Sequence, residues 1–162
     1  MRDCSNSARE RIVIQSPYII INGAMRKYAA DTGEAELLFL TNSQAVSPNY
    51  FAMSGYLNHR KRLLRSSDIL EYKGHGSLHG KTILMDGKIL GIGTFNMDPR
   101  SSFLSTETMV FIESENLATQ LEEILGTYME FSLPPSSTQH VPFMKWITTL
   151  VRLIVAPFHY ML

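Results

Sequence analysis

Between residues 79 and 107 the sequence concentrates side chains that suit displacement at phosphorus. The run reads His-x-Lys-x4-Asp-x6-Gly-Thr-x-Asn, with His79, Lys81, Asp86, Gly93, Thr94 and Asn96 at the specified positions. A neutral imidazole can attack phosphorus and form a covalent intermediate, which splits one difficult step into two. Lys81 stands two positions on, and in a strand that spacing points both side chains to one face. Its ammonium can oppose the charge that grows on the non-bridging oxygens. Thr94 and Asn96 are also two apart and can donate hydrogen bonds from a neighbouring strand. Glu107, on the next predicted strand, can accept from the other ring nitrogen of His79 and fix its tautomer. Taken singly, each residue has a plainer reading. A lone histidine is most often a satisfied polar group, Lys81 a solvated charge, and Asp86-Gly87 a tight turn. Six specified positions at fixed spacing favour the chemical reading.

These residues need a scaffold, and the composition supplies one. The chain has 162 residues, 44% of them hydrophobic and 19% charged, which predicts one globular domain and excludes a disordered, collagen-like or coiled-coil chain. Lys and Arg number 15, as do Asp and Glu, so nothing global argues for a nucleic-acid partner. The single cysteine, Cys4, makes no internal disulfide, and Pro17 interrupts the N-terminal apolar run before any cleavage site of a signal peptide. Residues 11–21 predict a buried strand that Pro17 ends or bends. A short helix is expected over 24–32, a strand over 36–40, a helix over 48–65 and a strand over 68–72. The Asp86-Gly87 pair predicts a hairpin between 81–85 and 88–94. A further strand is expected over 106–112, then a helix capped by Ser114 that runs to about residue 128. The proline-rich stretch 132–142 reads as a linker. Strands alternating with helices predict an α/β fold, a mixed β-sheet covered by helices, with an apolar helix at the C-terminus.

The pattern from His79 to Asn96 resembles the signature of the phospholipase D superfamily, the HKD motif. Ser16-Pro17-Tyr18, Thr41-Asn42-Ser43, the segment from Tyr56 to Leu64, Ser77-Leu78-His79 and Asp98-Pro99-Arg100-Ser101 are similar to the bacterial cardiolipin synthase branch. The likeness covers about residues 8–130, the C-terminal half of a typical member. The resemblance implies phosphatidyl transfer to an alcohol, or hydrolysis of the same phosphodiester, with no cofactor and no metal. His79 would be nucleophile or general acid/base. Lys81, Asn96 and Glu107 would complete the catalytic set, to which Asp86 belongs by position although its implied part is structural. Thr94, Arg100, Tyr56 and Arg60 would line the substrate pocket.

The family joins two such motifs in one site, and this sequence has one. The second half would come from a homodimer mate or from an N-terminal half on another stretch of polypeptide; an inactive lipid-binding half-domain is the third way out. A homodimeric single-motif nuclease of the same superfamily is the competing enzyme class, supported by the basic run Arg60-Lys61-Arg62 and opposed by the neutral charge. Residues 143–162 carry Lys145 and Arg152 and no acidic residue. They read as an amphipathic segment lying on an anionic membrane, the alternative being a helix docked on the core or at a subunit interface. Together these readings predict a membrane-associated enzyme at the cytoplasmic face of the bacterial inner membrane. The expected division is a half domain over 1–131, the linker, and the membrane segment.

Overall fold

Apolar side chains alternate along the predicted strands, and the computed structural model, which describes residues 10–21 and 35–135, shows what that alternation builds. The elements are β1 (Arg11–Gln15), β2 (Glu36–Asn42), α1 (Tyr50–Leu63), β3 (Asp68–Tyr72), β4 (Thr82–Met85), β5 (Ile89–Gly93), α2 (Pro99–Phe103), β6 (Met109–Glu113), α3 (Glu115–Glu130) and β7 (Ser132–Leu133). The strands form one seven-stranded mixed sheet in the order β6-β5-β4-β1-β2-β3-β7. Strands β1, β2 and β3 run parallel, and the remaining pairings are antiparallel.

The period-two pattern sends alternate residues to two cores. Ile12, Ile14, Leu37, Phe39, Ile69 and Ile83 pack with Met53, Tyr56 and Leu63 of α1. Val13, Leu40, Leu84 and Leu90 pack on the other face with Ala118, Leu121 and Leu125 of α3. The central strands are apolar on both sides because a helix covers each side. This is the expected α/β architecture. Local chemistry agrees with the element ends. Asn49 accepts from the Ala52 N–H at the start of α1, and Ser114 accepts from the Leu117 N–H at the start of α3. Asp86 and Gly87 both take positive φ, at 51° and 62°, which turns β4 tightly into β5.

Strand direction decides where the loops gather. Gln15, at the end of β1, lies opposite Thr82, at the start of β4. The ends of β2 and β3, the end of β5 and the start of β6 fall on that same edge. Ser132 pairs with Tyr72, so the C-terminus of α3 reaches the same edge as well. All segments carrying the expected site residues from His79 to Glu107, Asp86 apart, therefore emerge at one end of the sheet.

Three readings change. His79 to Lys81 lie in coil before β4 rather than within a strand, so the pleat does not align their side chains. Ser132 and Leu133, read as the start of a linker, add a short edge strand to β3. Tyr56 and Arg60, read as lining a substrate pocket, instead close a buried network under α1. The Tyr56 hydroxyl donates to Glu71 Oε1 at 2.8 Å, and Arg60 Nη1 meets the same oxygen at 2.9 Å. Helical spacing of four places both on the face that packs against β3, where Glu71 is 1% exposed and Tyr56 fully buried. Burial, then the Glu71 charge, raise the Tyr56 pKa far above its ordinary range, so this phenol stays protonated. The expected helix over 24–32 and the segment 136–162 lie outside the described residues.

Glu71→Ala would leave Arg60 and Tyr56 facing an apolar core without their acceptor. The expected loss is about 3 kcal/mol, read from the urea midpoint at unchanged slope. A loss below about 1 kcal/mol would show that the network does not brace α1 against β3.

Candidate active site

Position 79 depends on the residue before it. Leu78 is 1% exposed and sits in the α3-side core, so the loop is pinned by apolar burial just ahead of His79. The Asn42 carboxamide completes the pin. The Leu78 N–H donates to Asn42 Oδ1 at 2.8 Å, and Asn42 Nδ2 donates to the Leu78 carbonyl at 2.9 Å. The same nitrogen donates to the Pro17 carbonyl at 3.0 Å. One buried side chain thus satisfies three backbone groups and ties the loop after β1 to the loop before β4. His79 is left exposed. The glycine after it has a steric reason: a Cβ on Gly80 would overlap the Gln15 carboxamide, which accepts from Thr82 Oγ1 at 3.0 Å.

The loop after β5 is held from both sides. Ser16 Oγ accepts from the Met97 N–H at 3.1 Å and donates to the Tyr18 carbonyl at 2.8 Å. The Ile20 N–H donates to the Met97 carbonyl at 2.8 Å. On the other side, Glu107 accepts from Thr94 Oγ1 at 2.5 Å and from Ser101 Oγ at 3.2 Å. Ser101 Oγ in turn accepts from the Asn96 N–H at 3.3 Å. Asp98 caps α2 by accepting from the Ser101 N–H at 2.6 Å, and Tyr18 hydrogen-bonds to the same carboxylate. Gly93 fits because a Cβ there would strike the Thr108 carbonyl. Its N–H donates to the Lys81 carbonyl at 3.2 Å, which sets the two loops side by side.

The charges are arranged around Lys81. Its Nζ donates to the His79 carbonyl at 2.8 Å, so the ammonium curls back over the histidine's own peptide. Burial lowers its pKa, and the nearby carboxylates of Glu107 and Asp98 act the other way. Burial raises the Asp98 pKa against the hydrogen bonds from Ser101 and Tyr18, which lower it. Tyr18 is pushed up by burial first and by Asp98 second. Asn96 Oδ1 is buried with no partner among the described residues, an acceptor open to the hydroxyl of a bound molecule. No cluster of three or more His, Cys, Asp or Glu able to hold a metal occurs among the described residues.

The structure therefore brings Lys81, Thr94, Asn96, Arg100 and Glu107 to the end of the sheet where His79 emerges. It assigns Glu107 and Asp86 differently from the sequence reading. Glu107 accepts from the hydroxyls of Thr94 and Ser101, where the sequence reading has it accept from the ring of His79. Asp86 is not part of the site. It stands at the opposite end of the hairpin, where Oδ1 accepts from the Glu10 and Arg11 N–H groups at 3.0 and 2.8 Å. Its place in the pattern reflects the turn and its tie to the start of β1. The supporting residues Gln15, Tyr18, Asn42 and Ser101 were not singled out as site residues. Gln15 and Asn42 end apolar strands, and Tyr18, Asn42 and Ser101 lie in segments that carry the family resemblance, which was the signal for them.

The match to known proteins is consistent with this geometry. Residues 1–129 match the family described as cardiolipin synthase, PLD-like domain. Cardiolipin synthase C of Escherichia coli (strain K12) is 35% identical over an alignment taking in 75% of this chain and 30% of that protein. Cardiolipin synthase 2 of Staphylococcus epidermidis is 32% identical, with 83% of this chain and 28% of that protein covered. The chain thus spans less than a third of the length of these relatives. Among solved structures, the phospholipase D family member Nuc from Salmonella typhimurium superposes with a TM-score of 0.66 at 16% identity, covering 82% of this chain and 86% of that one. Phosphatidylserine synthase from Haemophilus influenzae Rd KW20 gives 0.77 at 14% identity, covering 99% of this chain and 44% of that one. Both show the fold.

Asn42→Asp tests the pin. It keeps the acceptor for the Leu78 N–H but sets a second oxygen against two carbonyls. Stability should fall by about 2 kcal/mol or more, measured by urea unfolding. An unchanged midpoint would mean that the two loops are held by other contacts.

Proposed function

The chain belongs to the cardiolipin synthase, phospholipase D-like domain family, and from that premise we propose that it forms one half of an active site that transfers phosphatidyl groups through a phosphohistidine at His79. The observation that carries this reading is the pairing of an exposed imidazole on a rigidly pinned loop with a half-buried ammonium folded over the same peptide. The imidazole attacks phosphorus, a P–N bond forms, and the P–O bond to the leaving alcohol breaks. Lys81 opposes the charge on the non-bridging oxygens, where partial burial strengthens each interaction. The Asn96 carboxamide borders the phosphate, on a backbone held through Ser101 and Glu107. Thr94 and Arg100 flank it. An acceptor alcohol then attacks phosphorus, giving its proton to a histidine of the partner half; a P–O bond forms, the P–N bond breaks and His79 is regenerated.

The leaving alkoxide needs a proton, and a second histidine from a partner half supplies it in this scheme. The partner is either a second copy or another stretch of a longer polypeptide. The chain's coverage of less than half of the phosphatidylserine synthase chain leaves room there for two such lobes. The substrate is a phospholipid, which places the work at a membrane surface. Among the described residues no helix is long and apolar enough to cross a membrane. A lipid-binding half-domain without turnover is the second reading, supported by the single motif.

Two outcomes test the mechanism. Wild-type chain quenched during turnover should carry phosphoryl label that survives base and is lost in acid, while His79→Ala should carry none at an unchanged unfolding midpoint. Label persisting in a folded His79→Ala chain would remove the nucleophile, and absence of label from an assembled wild type would favour the second reading. The rate should also depend on pH through Lys81. Its depressed pKa means that the ammonium is lost below the ordinary lysine value of 10.5, so turnover should decline on the alkaline side before that pH. A flat profile up to that point would separate Lys81 from the phosphate.

A further inference from the structure

We propose that the loop end of the domain is a bilayer-facing rim, on which Tyr50, Phe51, Phe103, Leu104 and Phe131 seat in the interface of an anionic membrane around the mouth of the site. These side chains are 44%, 55%, 63%, 64% and 59% exposed. Every exposed phenylalanine or tyrosine among the described residues is in that set. Their common location follows from the topology. Tyr50 and Phe51 open α1, which follows the loop leaving the end of β2. Phe103 and Leu104 end α2, inside the connection from the end of β5 to the start of β6. Phe131 follows α3, and its carbonyl accepts from the Lys73 N–H at 2.9 Å just past the end of β3. The opposite end of the sheet, where Asp86 turns the hairpin, has no exposed aromatic among the described residues.

The distribution favours a membrane over a protein partner. The aromatics come from three separate elements: one on the α1 face, one beside the β5–β6 edge and one beside the β3–β7 edge. They surround the central loops that carry His79 and Asn96 rather than merging into one patch. Aromatic side chains also partition to the headgroup boundary, where one side is wet and the other apolar. Lys73 and Arg100 are exposed at this end, against exposed Glu130, so basic groups are available to lipid phosphates. The orientation would present headgroup phosphodiesters to His79 without drawing the lipid out of the bilayer. The choice of substrate here rests on the phosphatidyl-transfer reading, but the membrane contact does not.

The test is flotation of the full chain with vesicles of phosphatidylglycerol and phosphatidylcholine in equal parts. Phe51→Ser combined with Phe103→Ser should lower the partition constant by at least about tenfold, with the unfolding midpoint unchanged because both side chains are exposed. An environment-sensitive dye on Phe103→Cys, in a Cys4→Ser background, should shift to the blue when vesicles are added. Undiminished flotation of the double variant, or a dye that does not respond, overturns the rim. So does loss of self-association in the double variant with vesicle binding intact, since that would mark a protein interface. Turnover of the soluble diester bis(4-nitrophenyl) phosphate separates this proposal from the catalytic one. Vesicle insertion with no soluble turnover leaves the rim standing and the phosphatidyl-transfer reading without support; soluble turnover with no insertion does the reverse.

Discussion

A single buried carboxamide holds the candidate site in register. Asn42 ends the β2 strand and reaches Leu78 on one side and Pro17 on the other. Both the donor and the acceptor of Leu78 are satisfied by it, so the peptide before His79 has little freedom to rotate. Pro17 lies within the Ser16–Ile20 segment, which runs alongside Met97 and fixes the Asn96 loop. Two loops distant in sequence are thereby referred to one point on a rigid strand. A histidine exposed on an otherwise unsupported coil would not be preorganised; this one is anchored at the residue before it.

The electrostatics follow from that placement. Lys81 is partly desolvated, and it bends toward the His79 carbonyl instead of forming a close ion pair with a carboxylate. Glu107 and Asp98 are near enough to act on it, but their hydrogen bonds go to Thr94, Ser101 and Tyr18. The carboxylates thus organise the hydroxyls and the loop backbone, and the ammonium stays available to an incoming anion. A tight Lys–Glu bridge would have cancelled that charge. The buried Asn96 oxygen at the same end has no partner among the described residues.

The same end of the molecule carries the exposed aromatics, and this gives the architecture a direction. Strand polarity delivers the His79, Asn96 and Glu107 loops, the start of α1 and the end of α3 to one edge. The candidate catalytic groups and the exposed aromatics therefore share an origin in topology, although no sequence neighbourhood connects them. The buried Tyr56–Arg60–Glu71 network braces α1 against β3 on the flank of this edge.

Alternation of apolar residues, the Asp-Gly turn and the serine cap were enough to read the sheet, the hairpin and α3 from the sequence, because each is governed by neighbours within a few positions. The His79-to-Asn96 spacing was legible for the same reason: a hairpin of fixed length carries it. Which group each polar side chain engages was decided only by packing. Tyr56 and Arg60 turned inward because β3 offers a buried carboxylate at Glu71, fifteen and eleven positions away. Glu107 turned to Thr94 and Ser101, and Asn42 found Leu78 thirty-six positions later. Asp86 proved to be a tie to β1, seventy-five positions distant at Arg11. Local periodicity reports which face a residue lies on; a hydrogen-bond partner far along the chain exists only once strand order and direction have brought the two backbones together.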